Sequence, residues 1–131
     1  MERLADGERW VGHHRWGAVP GYRMRTEPLP LSAFAPHHLR QFTSPESGFV
    51  QTLIVQRPLS DHTLTLRGTA LTTNGPGGKH RLILPELAAF ETALSTRFGI
   101  PTASLDTARL HTLARSQTET RLARQASAPS A

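Results

Sequence analysis

The sequence predicts an α+β fold: a small antiparallel sheet with one packed helix toward the C-terminus, preceded by further short strands. Three observations predict it. Thr63-Leu64-Thr65-Leu66 alternates polar and apolar residues with a period of two, the pattern of a half-buried strand. Leu87, Phe90, Leu94 and Phe98 recur at helical spacing and share one face. The 131 residues carry 10 Pro and 10 Gly, and 37% are hydrophobic with few aromatics. Such a lean, much-interrupted composition suits short strands and turns better than a helical bundle.

The elements follow in order. Turn signals at Asp6-Gly7 and Val19-Pro20-Gly21 flank Trp10-Val11 and Arg15-Trp16, which read as one or two short strands and poor core on their own. Tyr22 to Glu27 is another short strand. Pro28 and Pro30 end it, because proline has no N–H for a ladder. Leu31 to Leu39 reads as a connection with room for one helical turn, and Thr43 to Gly48 as a polar loop. Phe49 to Arg57 is predicted to be a strand whose run Val50, Leu53, Ile54, Val55 is buried. Pro58 stops it and Ser60-Asp61-His62 turns the chain.

The next strand buries Leu64 and Leu66 and turns its threonines outward. Gly68 suggests a bulge within it, and Leu71-Thr72-Thr73 continues it. After a loop at Asn74-Gly75-Pro76-Gly77-Gly78, Lys79 to Leu84 returns as the third antiparallel strand. The helix then opens with Pro85 near its first position and Glu86 in its first turn. Gly99 stands where a C-terminal cap belongs and Pro101 blocks continuation. Ser104 to Arg124 reads as a further helix carrying Leu105, Leu110, Leu113 and Leu122, followed by a small-residue, disordered tail from Gln125.

The totals exclude several chemistries. With no cysteine there is no disulfide, thiolate metal site or thiol nucleophile in this chain. No stretch reaches the roughly 18 apolar residues of a membrane span, and the charged N-terminus is no signal peptide, so a cytoplasmic protein with no membrane partner is expected. The net charge is +5, and 14 of the 15 basic residues are arginine, Lys79 being the exception. They are scattered along the chain without a basic stripe or a recognition motif, so no nucleic-acid partner is expected. His13-His14 and His37-His38 are adjacent pairs. Neighbours on a strand face opposite ways, so no metal site is expected there. Asp61-His62 has no nucleophile nearby and reads as turn chemistry, and no Gly-x-Ser-x-Gly elbow occurs. The Gly75–Lys79 loop offers backbone N–H groups and one ammonium for an anion but lacks P-loop spacing. A plain hairpin is the competing reading.

Four segments together carry a resemblance. They are Tyr22-Arg23-Met24-Arg25-Thr26-Glu27-Pro28, Thr43-Ser44-Pro45-Glu46-Ser47-Gly48-Phe49, the Leu66-Arg67-Gly68 to Leu71 strand, and Leu87 to Ile100 ending in Arg97-Phe98-Gly99-Ile100. In this order and spacing they resemble the C-terminal half of the arylamine N-acetyltransferase family. The resemblance implies the end of a β-barrel over residues 1–30, an interdomain connection over 31–48 and an α/β lid over 49–103; the further helix and the tail take 104–131. It also implies acetyl transfer from acetyl-CoA to an arylamine through a Cys-His-Asp triad. All three triad positions lie upstream of the matched segments, so no catalytic residue is expected here.

Two binding features carry over by position. Phe49 matches an aromatic lining the acceptor pocket; a core strand residue is the competing reading. Asn74 stands where mycobacterial members have a histidine near coenzyme A, and Lys79 or Arg81 falls near a second cationic contact to the cofactor. His38, Leu39 and Arg40 replace the aromatics that usually precede the threonine motif, which weakens that seam. The expectation is a partial chain, inactive alone, with acetyl-CoA as co-substrate by resemblance and no required cofactor. The alternatives are a non-catalytic partner domain complementing a separate N-terminal catalytic half, a remnant of a related macrolactam amide synthase, or an unrelated small β-domain.

Overall fold

A computed structural model describes residues 2–3, 9–16 and 21–127. The chain divides into two compact units, Met1–Gln51 and Thr52–Ala131. The first holds an open three-stranded antiparallel sheet in the order β1 (Glu2–Arg3), β2 (Arg9–His13), β3 (Gly21–Arg25). Its register sets Gly12 opposite Tyr22, and the tyrosine ring lies over the glycine, so a side chain on residue 12 would push the ring aside. The turn signals at Asp6-Gly7 and Val19-Pro20 lie outside the described residues.

After Pro28 and Pro30 the structure departs from expectation. A 3-10 turn at Leu31–Phe34 runs into a full helix, α1 (Ala35–Thr43), where the sequence suggested at most one turn. Pro36 sits in its first turn, where a missing N–H costs nothing. Ala35, Leu39 and Phe42 recur along it at helical spacing, yet no residue of α1 is buried. The predicted strand from Phe49 to Arg57 is also corrected. Its first residues form a helical turn, α2 (Gly48–Gln51), and the strand begins only at Ile54. Ser47 explains the switch: its Oγ accepts from the Phe49 N–H at 3.2 Å, and its carbonyl accepts from the Val50 and Gln51 N–H groups. A serine that satisfies the first free amides nucleates a turn that Phe49 and Val50 would otherwise resist. Val50 and Ile54 are exposed, while Leu53 and Val55 pack against the core.

The second unit is a four-stranded antiparallel sheet, β4 (Ile54–Pro58), β5 (Thr63–Arg67), β6 (Ala70–Gly75), β7 (Gly78–Ile83), in sequence order. Four strands replace the expected three because Gly68 is a turn residue, not a bulge. Gly68-Thr69 closes a two-residue hairpin whose last pair is Arg67 with Ala70. Gly68 has φ +59°, the positive value that primed hairpin turns require at their first position. The other hairpin uses Pro76-Gly77 as its corner, with Gly78 at φ +94° absorbing the return.

One face of the sheet carries Leu64, Leu66 and Leu71 and packs on α3 (Leu87–Thr92) and the π-helical turn Ala93–Arg97 that extends it. Phe90, Leu94 and Phe98 enter this core as their spacing predicted; Glu86 is the N-cap rather than a first-turn residue. Phe98 N–H reaches back to the Ala93 carbonyl at 3.2 Å, and Gly99 at φ +70° ends the run. Thr63 is buried rather than turned outward, since its central strand places it between Pro58 and Asn74.

The last helix, α4 (Thr107–Ala126), is shifted toward the C-terminus relative to the expected Ser104–Arg124 and takes in Gln125 and Ala126, which the sequence assigned to a disordered tail; residues 128–131 of that tail lie outside the described residues. Asp106 caps it by accepting from the Arg109 N–H at 3.0 Å, and the Thr107 hydroxyl donates to Glu91 on α3. His111, Ala114 and Thr118 are its buried residues, while Leu105, Leu113 and Leu122 are exposed. Thr118 ties the helix to the β5–β6 turn. Its Oγ1 accepts from the Thr69 N–H at 2.9 Å and from the Thr69 hydroxyl at 3.0 Å, and donates to the Ala114 carbonyl at 3.0 Å. Thr118→Val keeps the shape but strands the buried Thr69 amide, a loss of about 1–3 kcal/mol. Thr118→Ser is expected to retain most of the stability. Urea titration followed by far-ultraviolet circular dichroism measures both.

Candidate functional site

The register gathers three of the four sequence-nominated site residues. Asn74 on β6 lies directly opposite Lys79 on β7, and Arg81 follows two positions on, so all three share one face of the β6–β7 hairpin. Asn74 is half-buried at the strand end, and Lys79 and Arg81 are exposed. His80 points to the other face, where its Nε2 lies 3.0 Å from the Gly77 carbonyl. Phe49 belongs to the first unit, on the short α2, and 78% of it is exposed. The strand-core reading of Phe49 therefore does not hold: it is neither in a strand nor buried.

Other nominated groups have ordinary surroundings. Asp61 and His62 pair through Oδ1 and Nδ1 at 2.7 Å in the β4–β5 connection. That hydrogen bond, ahead of the backbone one, holds the Asp61 carboxyl below its usual value of 3.8. Its contribution to stability is therefore present above the unfolded pKa and is lost as pH falls through the lower, folded one. His37 and His38 lie on α1 rather than on a strand, and His38 stacks on Phe42 with ring centres 4.8 Å apart.

Sequence reasoning missed two features of the second unit. One is His111, buried against Phe90 with ring centres 5.2 Å apart and an Nε2 with no hydrogen-bond partner. The other is Arg121 on α4, held below its ordinary pKa first by partial burial and then by the charges of Arg81 and Arg67. Arg121 thus lies within the field of two arginines distant from it in sequence. A shallow groove of about 500 Å³ also runs between β7 and α3, lined by Leu71, Leu82, Ala89, Ala93 and Arg97 among others. Among the described residues no helix is long and apolar enough to cross a membrane.

The chain has no cysteine, so none of these surfaces contains a thiol nucleophile. They offer instead a cationic face on a sheet and an exposed aromatic.

Comparison with known proteins gives this arrangement its context. A family model described as N-acetyltransferase matches residues 3–107. The arylamine N-acetyltransferase of M. tuberculosis is similar in structure with a TM-score of 0.61 and 28% identity, over 72% of this chain and 35% of that one. The Mycobacterium marinum arylamine N-acetyltransferase, solved in complex with CoA, gives 0.63 and 26% over 74% of this chain and 36% of that one. The Salmonella typhimurium enzyme gives 0.62 at 19% identity over 84% of this chain and 43% of that one, a likeness of fold alone. A search of the curated proteins found no match. The chain spans about a third of the length of the mycobacterial enzymes it resembles. With the matched segment running from the three-stranded sheet through the four-stranded sheet and α3, this chain belongs to the arylamine N-acetyltransferase family.

Proposed function

We propose that this chain supplies the α/β lid of an arylamine N-acetyltransferase-type enzyme and transfers no acetyl group by itself. The observation that carries the reading is the pairing of family membership with a cysteine count of zero. Acetyl transfer of this kind needs a thiolate to take the acetyl group from acetyl-CoA, releasing coenzyme A, before an amine attacks the thioester. A histidine held by a carboxylate keeps that thiol ionised. Here the one histidine–carboxylate pair among the described residues, His62 with Asp61, sits in an exposed turn with no thiol to serve. The nucleophile must come from polypeptide beyond these 131 residues, in the same chain or another.

Within that enzyme, Asn74, Lys79 and Arg81 contribute to holding acetyl-CoA, and Phe49 lines the acceptor side. The M. marinum relative solved with CoA supports the choice of co-substrate. The shared face of Asn74, Lys79 and Arg81 supports the choice of residues. A non-catalytic partner domain, complementing a separate catalytic half, is favoured by a different observation. The first unit exposes Leu31, Leu39 and Phe42, 89%, 63% and 71% accessible, an apolar surface that a partner would cover.

One experiment separates these readings. The purified chain, mixed with acetyl-CoA and an arylamine, is expected to release no coenzyme A above background by thiol titration. Acetylation by this chain alone sinks the proposal. Adding a triad-bearing N-terminal part of a family member is expected to restore turnover if this chain works as a lid in trans. Complex formation without turnover favours the partner reading.

A further inference from the structure

The threonine-bearing face of the sheet, opposite α3, carries an organised set of anion donors. Thr65, Thr72 and Arg81 lie in one row across β5, β6 and β7, because the register pairs Thr65 with Thr72 and Thr72 with Arg81. Arg67 stands two residues beyond Thr65 on the same strand, hence on the same face. Thr65 thus neighbours Arg67 along β5, and Thr72 neighbours Arg81 across the ladder. Both threonines are half-buried and both arginines are exposed. From outside the sheet α4 adds a third guanidinium. Arg121 comes one turn after Thr118, which is hydrogen-bonded to Thr69 in the turn that follows Arg67.

The charges are uncompensated. Among the described residues no carboxylate lies within salt-bridge reach of Arg67, Arg81 or Arg121. Arg121 is held below its ordinary pKa by partial burial and by the other two arginines. Like charges gathered without a counter-ion oppose folding, and a bound anion turns that cost into binding energy. Guanidinium groups pair with phosphate oxygens through two parallel N–H donors, and hydroxyls between them add neutral donors.

We propose that Arg67, Arg81 and Arg121, with the hydroxyls of Thr65 and Thr72, form a binding site for the phosphate group of a small molecule. The proposal rests in part on the acetyl-CoA reading of Arg81 and extends it to two residues that reading did not include. Arg121 lies on a helix beyond the family-matched segment 3–107, so this cluster is a feature of this chain rather than of the match.

Binding of inorganic pyrophosphate and of coenzyme A, measured by isothermal titration calorimetry at low salt, tests it. Arg67→Gln and Arg121→Gln remove exposed or half-exposed charges, and far-ultraviolet circular dichroism checks that each variant is folded. Each is expected to weaken pyrophosphate binding about tenfold, while Arg109→Gln, elsewhere on α4, leaves it unchanged. Equal affinity in wild type and both variants, or no pyrophosphate binding at all, overturns the proposal. Coenzyme A binding that ignores Arg67→Gln and Arg121→Gln overturns it too, yet leaves Asn74, Lys79 and Arg81 standing as the cofactor contacts. Pyrophosphate binding that depends on Arg121, with no coenzyme A binding, upholds the site and removes the acetyl-CoA reading. A single-stranded oligonucleotide bound more tightly than pyrophosphate through the same arginines overturns the small-molecule assignment.

Discussion

Phe90→Ala is expected to lower the stability of the sheet–helix unit by about 3–5 kcal/mol. Phe90 is fully buried, and its ring fills the space between the Leu64, Leu66 and Leu71 face of the sheet and the inner side of α4. The other ring of the cluster, Phe98, sits at the helix end, and the remaining members are leucines and alanines with no spare bulk to move into the gap. The cavity therefore persists, and its unfilled volume adds to the lost transfer energy. The substitution also uncovers His111, whose Nε2 is already without a partner. Phe90→Leu keeps most of the volume and is expected to lose less than half as much. Denaturant titration followed by helical circular dichroism measures both, and a Phe90→Ala protein as stable as wild type would show that this face is not the core.

Gly68→Ala is the second large effect, and it acts through the backbone. The φ of +59° costs any L-residue about 1–2 kcal/mol. A Cβ there would also lie 2.5 Å from Thr118 Oγ1 and 2.8 Å from the Ala114 carbonyl oxygen. The second is helix backbone and cannot swing aside, so α4 must shift and the Thr69–Thr118 hydrogen bonds lengthen. Overpacking of this kind adds about 1–3 kcal/mol, for a combined loss of about 2–5 kcal/mol. Double-mutant analysis with Thr118→Ala isolates the hydroxyl's share. Removing it relieves the contact with Thr118 Oγ1 but neither the one with the Ala114 carbonyl nor the backbone strain, so the pair is expected to be less than additive.

These two positions show what was legible in the sequence. The α3 face was plain because Phe90, Leu94 and Phe98 are large, apolar and regularly spaced. Strand β5 was plain because Leu64 and Leu66 alternate with threonine. Gly68 is ambiguous in the sequence: a glycine between two strand-like runs fits a bulge or a two-residue turn equally well, and its partner Thr118 lies far along the chain. The inner face of α4 was hidden because it is built of His111, Ala114 and Thr118, none of which registers as apolar periodicity. Of the four leucines singled out in the sequence, Leu110 packs against the core, while Leu105, Leu113 and Leu122 are exposed at 40%, 53% and 46%. Helix α1 is the opposite case: its apolar residues are present at helical spacing, but none is buried.

The candidate site divides in the same way. Asn74, Lys79 and Arg81 were reached through the family resemblance, and hairpin register then put them on one face. Arg67 and Arg121 were out of reach, since only the sheet register and the path of α4 bring them toward Arg81. Scattered arginines in a sequence exclude a basic stripe along the chain but not a cluster in space.

The Thr118 contact has a consequence for how this piece of protein is defined. The family match ends at residue 107, yet Ala114 is in the hydrophobic core and Thr118 hydrogen-bonds the buried Thr69 amide. Homology and cooperativity thus draw different borders: the inherited segment stops at the first residue of α4, and the segment that melts as one body does not. A fragment trimmed to the recognisable part would open one wall of its own core and leave a buried amide facing water.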